Sequence, residues 1–206
     1  MPKKRLDAPA APRERAFLRI FVREGALLTG HFLLSSGLHS GQYVQCALVL
    51  RKPSVAARLA KALAAPFKKP GAGVEIVAAP AVGGIVVGYE LARALKAESV
   101  FAERKEGRMV FRRGFSVPRG ARVLVAEDVV TTGKSTQEVI QAVRAQGGRI
   151  AGIAALVRRG ASSLEIKGRA PFHALISLRL PTYEPTRCPL CREGVPITSP
   201  GSRRLR

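Results

Sequence analysis

The chain has 206 residues, 47% of them apolar, with 35 Lys plus Arg against 14 Asp plus Glu and a net charge of +21. That length suits one domain with a substantial core, and the apolar share excludes a disordered chain. No apolar run approaches the ~20 residues a bilayer requires, there is no apolar signal core, and three cysteines are too few for a secreted disulfide framework, so a cytoplasmic protein with no membrane partner is expected.

Residues 1–14 mix Pro, Ala and charge and read as a flexible basic N-terminus. Phe17, Leu18, Ile20 and Phe21 open an amphipathic helix that Gly25 ends. In HFLLSSGLHSGQYVQC (31–46) two apolar runs surround Ser36-Gly37 and Ser40-Gly41, which predicts a hairpin or an extended pair. Pro53 starts a helix through Ala65, because Pro in the first turn gives up an N–H that has no helical partner. An alternating pattern follows: strand 74–80, helix 85–96, strand 99–104, strand 121–128, helix 134–145 closed by Gly147-Gly148, strand 149–159 and strand 172–178. Strands separated by helices predict an α/β fold with a central parallel sheet, one domain over residues 15–180. The basic run from Arg104 to Arg113 reads as one loop suited to handling phosphate.

Pro and Gly crowd residues 181–206, which read as an irregular C-terminal extension. It contains Cys188 and Cys191 in a CPLC knuckle without a second pair, whereas structural zinc takes four ligands. A thiol pair without metal is therefore expected, and His31, His39 and His173 show no ligand-like cluster.

The segment VLVAEDVVTTGKST (123–136) carries the chemistry. An apolar strand runs into Glu127 and Asp128, then into Val129, Val130, Thr131, Thr132, Gly133, Lys134, Ser135 and Thr136, where a helix opens. Ligands of parallel sheets bind beyond the carboxyl ends of the strands, so the acids belong to the floor of a site. The unpaired N–H groups and positive dipole end of a helix, reached through small side chains, suit a phosphate. Two carboxylates can accept hydrogen bonds from vicinal ribose hydroxyls and favour an oxocarbenium-like sugar. No G-x-x-x-x-G-K-[ST] frame is present, which excludes a nucleoside-triphosphate P-loop. Acids at the sugar and amides at the phosphate describe a phosphoribosyl site, and the string resembles the 5-phosphoribosyl 1-diphosphate (PRPP) signature of type I phosphoribosyltransferases.

Residues 15–200 resemble the orotate phosphoribosyltransferases within that family. The resemblance implies a type I phosphoribosyltransferase sheet with a small N-terminal hood, in which FLLSSGLHSGQYVQ (32–45) clamps orotate and Tyr43 and Val44 hold the matching positions. It places Gly83 and Gly84, in APAVGGIVVGYELA (79–92), under the diphosphate. FAERKEGRMVFRRGF (101–115) is similar to the family's mobile catalytic loop, with Arg104 and Lys105 as its Arg-Lys pair and Arg108 where a Lys is usual. Arg158 matches an arginine that pairs with orotate, with Arg159 as its solvent-facing neighbour, and Thr131 also falls on the orotate side. Ser35, Gly83 and Val110 stand where better-known members carry two lysines and a histidine, so either Arg112 and Arg113 substitute or main-chain amides suffice.

The implied reaction joins orotate to PRPP, giving orotidine 5′-monophosphate and diphosphate in pyrimidine biosynthesis. Glu127, Asp128, Arg104 and Lys105 are its catalytic candidates. The resemblance also implies a homodimer with a shared active site and Mg²⁺ held mainly by PRPP and water rather than by protein ligands. A purine phosphoribosyltransferase shares the 123–136 motif but needs a different hood. The charge alone would also suit a PRPP-sensing regulator, but no helix-turn-helix, zinc finger or aromatic RNA motif is present, so no specific nucleic-acid partner is expected.

Overall fold

The computed structural model describes residues 11–34, 36–68, 73–160 and 170–200. The expected flexible N-terminus up to residue 10, Ser35 and the basic end beyond residue 200 lie outside the described residues.

Helix α1 (Pro12–Arg23) begins five residues before the apolar pattern at Phe17. Its first turn is solvent-facing and so carries no apolar period, but Pro12 at the first position and Glu14 near the positive dipole end favour helix there. Gly25, at φ 68°, closes it: its N–H reaches Val22 O at 3.1 Å and the Ala26 N–H reaches Phe21 O at 2.8 Å, the paired bonds of a Schellman stop. Strands β1 (Leu27–Leu33) and β2 (His39–Val44) then form the expected antiparallel hairpin, with Leu27 opposite Val44 and Leu33 opposite His39. The short α2 (Ala47–Leu50) leads into α3 (Pro53–Ala64), which buries Leu59 and Leu63.

The main sheet has the order β5-β4-β3-β6-β7-β8. Its strands are β3 (Ile76–Pro80), β4 (Glu98–Lys105), β5 (Arg108–Phe111), β6 (Arg122–Val130), β7 (Arg149–Arg159) and β8 (Phe172–Leu178). All neighbours are parallel except β4 and β5. Helix α4 (Gly84–Leu95) follows β3 and α5 (Lys134–Ala145) follows β6. Alternation along β6 divides the core: Leu124 and Ala126 join α1, α3 and α4, whereas Val123 and Val125 join Val139, Ile140 and Val143 of α5. Every side chain of β3 is buried, as a strand covered on both faces requires.

Two sequence expectations are corrected. Residues 104–113 do not form one loop: β4 and β5 pair as a hairpin with Lys105 opposite Arg108. Glu106 (φ 48°) and Gly107 (φ 80°) make the two-residue turn with positive φ at both positions that hairpins favour, and Met109 is buried beneath it. Strand β6 also runs two residues further than the apolar pattern, to Val130, so Glu127 and Asp128 stand within it, Glu127 opposite Ala155 of β7.

The tail, expected to be irregular, contains helix α6 (Pro189–Arg192) and strand β9 (Ile197–Thr198), which lies parallel to β1 with His31 opposite Ile197. The hood is thus a three-stranded sheet of order β2-β1-β9.

Candidate active site

Strand β3 connects outward to β4 and β6 connects outward to β7, so the sheet reverses direction between β3 and β6, the place where open α/β sheets bind ligands. A cavity of about 1080 Å³ opens there, between the loop Pro80–Gly83, the segment Glu127–Thr136, and Tyr43 and Val44 of the hood. The Ala81–Val82 peptide in that first loop is cis.

Being adjacent in a strand, the two acids point to opposite faces of the sheet. Glu127 faces α5, where Ser135 Oγ and Thr136 Oγ1 donate to its Oε2 at 3.1 and 3.2 Å. Asp128 faces the hood; its Oδ1 accepts the Val129 N–H at 2.8 Å, and burial raises its pKa from the ordinary value of an Asp. A Cβ at Gly83 would lie 2.8 Å from Asp128 Oδ2, so a side chain at this position would have to displace this carboxylate. Gly84, expected beside it under the diphosphate, is instead buried against Pro80 and Ala79, where a Cβ would come within 3.0 and 3.2 Å, and does not line the cavity.

Beyond the acids the chain turns through Thr131 and Thr132 to Gly133, whose φ of 77° only glycine adopts without strain. Helix α5 starts with no side-chain cap and no acid in its first turn. Its leading N–H groups and dipole face the cavity as an anion cradle.

The arginines at the end of β7 exchange their expected places. Arg159, read as solvent-facing, is 8% exposed and lines the cavity, whereas Arg158 does not line it. The cause is strand alternation: with β7 running to Arg159, residue 159 takes the hood-facing side. Arg159 Nη2 donates to Ser40 Oγ at 2.9 Å and to Gln42 O at 3.3 Å, and its buried Nε lacks a partner among the described residues. Burial lowers its pKa and also raises that of Tyr43 opposite, an effect Asp128 adds to.

Arg104, Lys105 and Arg108 do not line the cavity. Arg104 is held by Glu138 of α5 and by Gly107 O. Arg113 makes a two-point pair with Glu103, both bonds 2.9 Å, so it is committed elsewhere; Val110 does not line the cavity either. Residues that sequence reasoning missed include Arg179 at the end of β8, Met109, and Leu180, Pro181, Thr182 and Ser199 of the tail. Arg179 directly follows the apolar strand β8, a local signal that could have found it.

A further expectation is overturned beside this site. His31 and His39 do form a ligand-like cluster, with Cys188 and Cys191, their ligand atoms all within 4.8 Å. The half-site missing from CPLC comes from the β1–β2 hairpin, too far away in sequence for spacing to reveal.

Residues 49–172 match the family model of the phosphoribosyl transferase domain. An orotate phosphoribosyltransferase of Carboxydothermus hydrogenoformans is 47% identical over 90% of this chain and 96% of its own length. The chain belongs to the orotate phosphoribosyltransferase family. A second relative of that name, from Heliobacterium modesticaldum, is 49% identical over 90% of this chain and 96% of its own. The solved orotate phosphoribosyltransferase of Aeropyrum pernix superposes with a TM-score of 0.62 at 26% identity, covering 78% of this chain and 93% of that one. An adenine phosphoribosyltransferase of Rhodothermus marinus, 22% identical, superposes over 80% of this chain and 99% of its own with the same TM-score of 0.62, and so shares the fold. Membership accounts for the mostly parallel sheet flanked by helices. Among the described residues, no helix is long and apolar enough to cross a membrane.

Proposed function

We propose that this chain transfers the phosphoribosyl group of PRPP to orotate, forming orotidine 5′-monophosphate and diphosphate. The observation that carries this reading is the convergence on one cavity of Asp128, the uncapped start of α5 and the buried Arg159. N1 of the orotate anion attacks C1′ as the C1′–O bond breaks, and its electron pair leaves with diphosphate.

The chain's part is positioning and electrostatics. The N–H groups of Thr131 to Thr136 hold the 5′-phosphate. Asp128 accepts ribose hydroxyls, and its charge, with that of Glu127, favours the oxocarbenium-like sugar. Glu127 also braces the phosphate cradle through Ser135 and Thr136. Arg159, rather than Arg158, takes the orotate carboxylate with its unpartnered Nε, while Tyr43 and Val44 close over the ring. Lys134 and Arg179 supply cations at the rim, and the β4–β5 hairpin presents Lys105 and Arg108 as a lid for the departing diphosphate.

The ligand atoms near Asp128 are oxygens, which fit Mg²⁺, a hard cation that keeps most of its water and takes the rest from PRPP. When bound, it neutralises developing diphosphate charge. A homodimer completes the reading. Val82 in the loop before α4, and Val86 and Tyr89 on α4, are 71%, 44% and 62% exposed, apolar surface beside the cavity suited to a second copy.

The test incubates the protein with PRPP, Mg²⁺ and each base in turn, following orotate absorbance and diphosphate release. Orotate consumption dependent on PRPP is expected. Turnover with a purine and none with orotate would replace this reading.

A further inference from the structure

His31 and His39 come from the two strands of the hood hairpin, and Cys188 and Cys191 from the knuckle that caps and forms α6. His31 Nε2 lies 2.9 Å from His39 Nδ1, 3.5 Å from Cys188 Sγ and 3.7 Å from Cys191 Sγ, and Cys191 Sγ lies 3.3 Å from His39 Nδ1. Four atoms around a common centre at Zn–N of about 2.0–2.1 Å and Zn–S of about 2.3 Å would stand roughly 3.3–3.8 Å apart at the corners of a tetrahedron. The four separations above fall within or below that range, and all the ligand atoms lie within 4.8 Å of one another.

Three further observations point to a ligand. His31 Nδ1 donates to Val195 O at 2.7 Å; a carbonyl only accepts, so the proton sits on Nδ1 and the Nε2 lone pair faces the centre. Metal-bound histidines are fixed in this way by the hydrogen bond of their other nitrogen. His31, His39 and Cys188 are buried and Cys191 is exposed, so the cluster lies at the seam between hood and tail with one ligand at the surface. All three cysteines are free, so no disulfide competes for the thiols.

We propose that His31 Nε2, His39 Nδ1, Cys188 Sγ and Cys191 Sγ bind one zinc ion in a closed, four-coordinate structural site. Two thiolates and two imidazoles select a borderline-soft tetrahedral cation over Mg²⁺ or Ca²⁺. With all four positions filled by protein, the ion has no place for a substrate and does no chemistry. It clamps the tail to the hood. Other links between tail and hood include the two-residue pairing of β9 with β1, a bridge from His39 to Tyr183, and a bond from Ser40 Oγ to Pro181 O at 2.8 Å.

That clamp bears on the active cavity. Ser40, next to the ligand His39, holds Arg159, and Pro181, Thr182 and Ser199 of the clamped tail line the cavity wall. His31 and His39 are thus positioning residues, acting through the hood. This last consequence rests on the proposed reaction; the metal site itself does not.

The test uses the full, untagged chain. Elemental analysis after dialysis should find about one zinc per chain. Metal-free protein titrated with Co²⁺ should develop the strong visible bands and thiolate charge-transfer absorption of a tetrahedral Cys-liganded ion, with an endpoint at one equivalent. Cys191→Ser should abolish those bands, and Cys46→Ser should keep them. Chelation should lower Tm by more than about 5 °C and raise KM for orotate more than KM for PRPP. If Cys191→Ser does not fold, the cobalt titration of the unaltered chain still decides. Reduced protein that takes up less than about 0.1 equivalent of Zn²⁺ or Co²⁺, or an intact mass two hydrogens lower that marks a Cys188–Cys191 disulfide, would overturn the site. Metal uptake without orotate turnover would leave the site standing and remove only its link to catalysis.

Discussion

Asp128 stands two residues before the end of β6, with its carboxyl packed over Gly83 and its pKa raised by burial. A carboxylate whose folded pKa exceeds its unfolded one contributes stability at low pH, and that contribution is lost as pH rises through the folded pKa. Asp128→Asn removes this loss and keeps an acceptor for the Val129 N–H, so the variant should melt no lower than the parent at neutral pH while kcat falls by roughly 10²–10³. Denaturation curves and steady-state kinetics check both halves; unchanged kinetics would refute the assigned role. The acid limb of kcat/KM should lie above the range of an ordinary Asp and disappear in Asp128→Asn. Arg159 and Arg158 make a sharper pair. Arg159→Ala should raise KM for orotate by roughly 10- to 150-fold, the size of a lost charge-assisted hydrogen bond, whereas Arg158→Ala should change it less than about 3-fold. The reverse ranking would return the role to Arg158.

Gly83 is where the loop after β3 becomes α4, and its missing side chain leaves room for the Asp128 carboxylate. Gly83→Ala should cost less than about 1 kcal/mol, because a side-chain end can rotate away, but should lower kcat/KM about 10-fold by moving Asp128; equal activity would show that this approach is irrelevant. The elements also show which kinds of structure could be read in advance. Helix α5, β7 and β8 begin and end where their patterns do, because buried apolar periods and the Gly147 stop record tertiary burial directly. The start of α1 and the β4–β5 hairpin were not legible, since charged exposed residues carry no period, and the turn at Glu106-Gly107 lacks the Asn-Gly or Asp-Gly signal. The phosphate and ribose half of the site lies in one continuous segment and could be read from it. The proposed orotate half draws on Tyr43 and Val44 of β2 and Arg159 of β7, far apart in sequence. Which of two adjacent arginines faces inward depends on a register that no local pattern fixes.

Across the whole molecule, the hood, the sheet and the tail meet at one cavity, to which the β4–β5 hairpin contributes Met109 while its cations Lys105 and Arg108 lie outside the lining. A lid supplied by the partner copy would resolve that separation. Mixing unfolded Lys105→Ala and Asp128→Asn chains and refolding them together should then restore about a quarter of parental activity, since half the dimers are mixed and each has one intact site. No recovery would place the lid on its own chain's site. The +21 net charge should raise association with anionic substrates at low ionic strength. The most direct measurement of the central claim is acceptor competition: orotate and adenine at equal concentration with PRPP and Mg²⁺, and products resolved by mass. Orotidine 5′-monophosphate should exceed adenosine 5′-monophosphate by more than about 10³, the discrimination expected of a site whose buried Arg159 needs an anionic partner. Adenosine 5′-monophosphate as the main product would contradict the account.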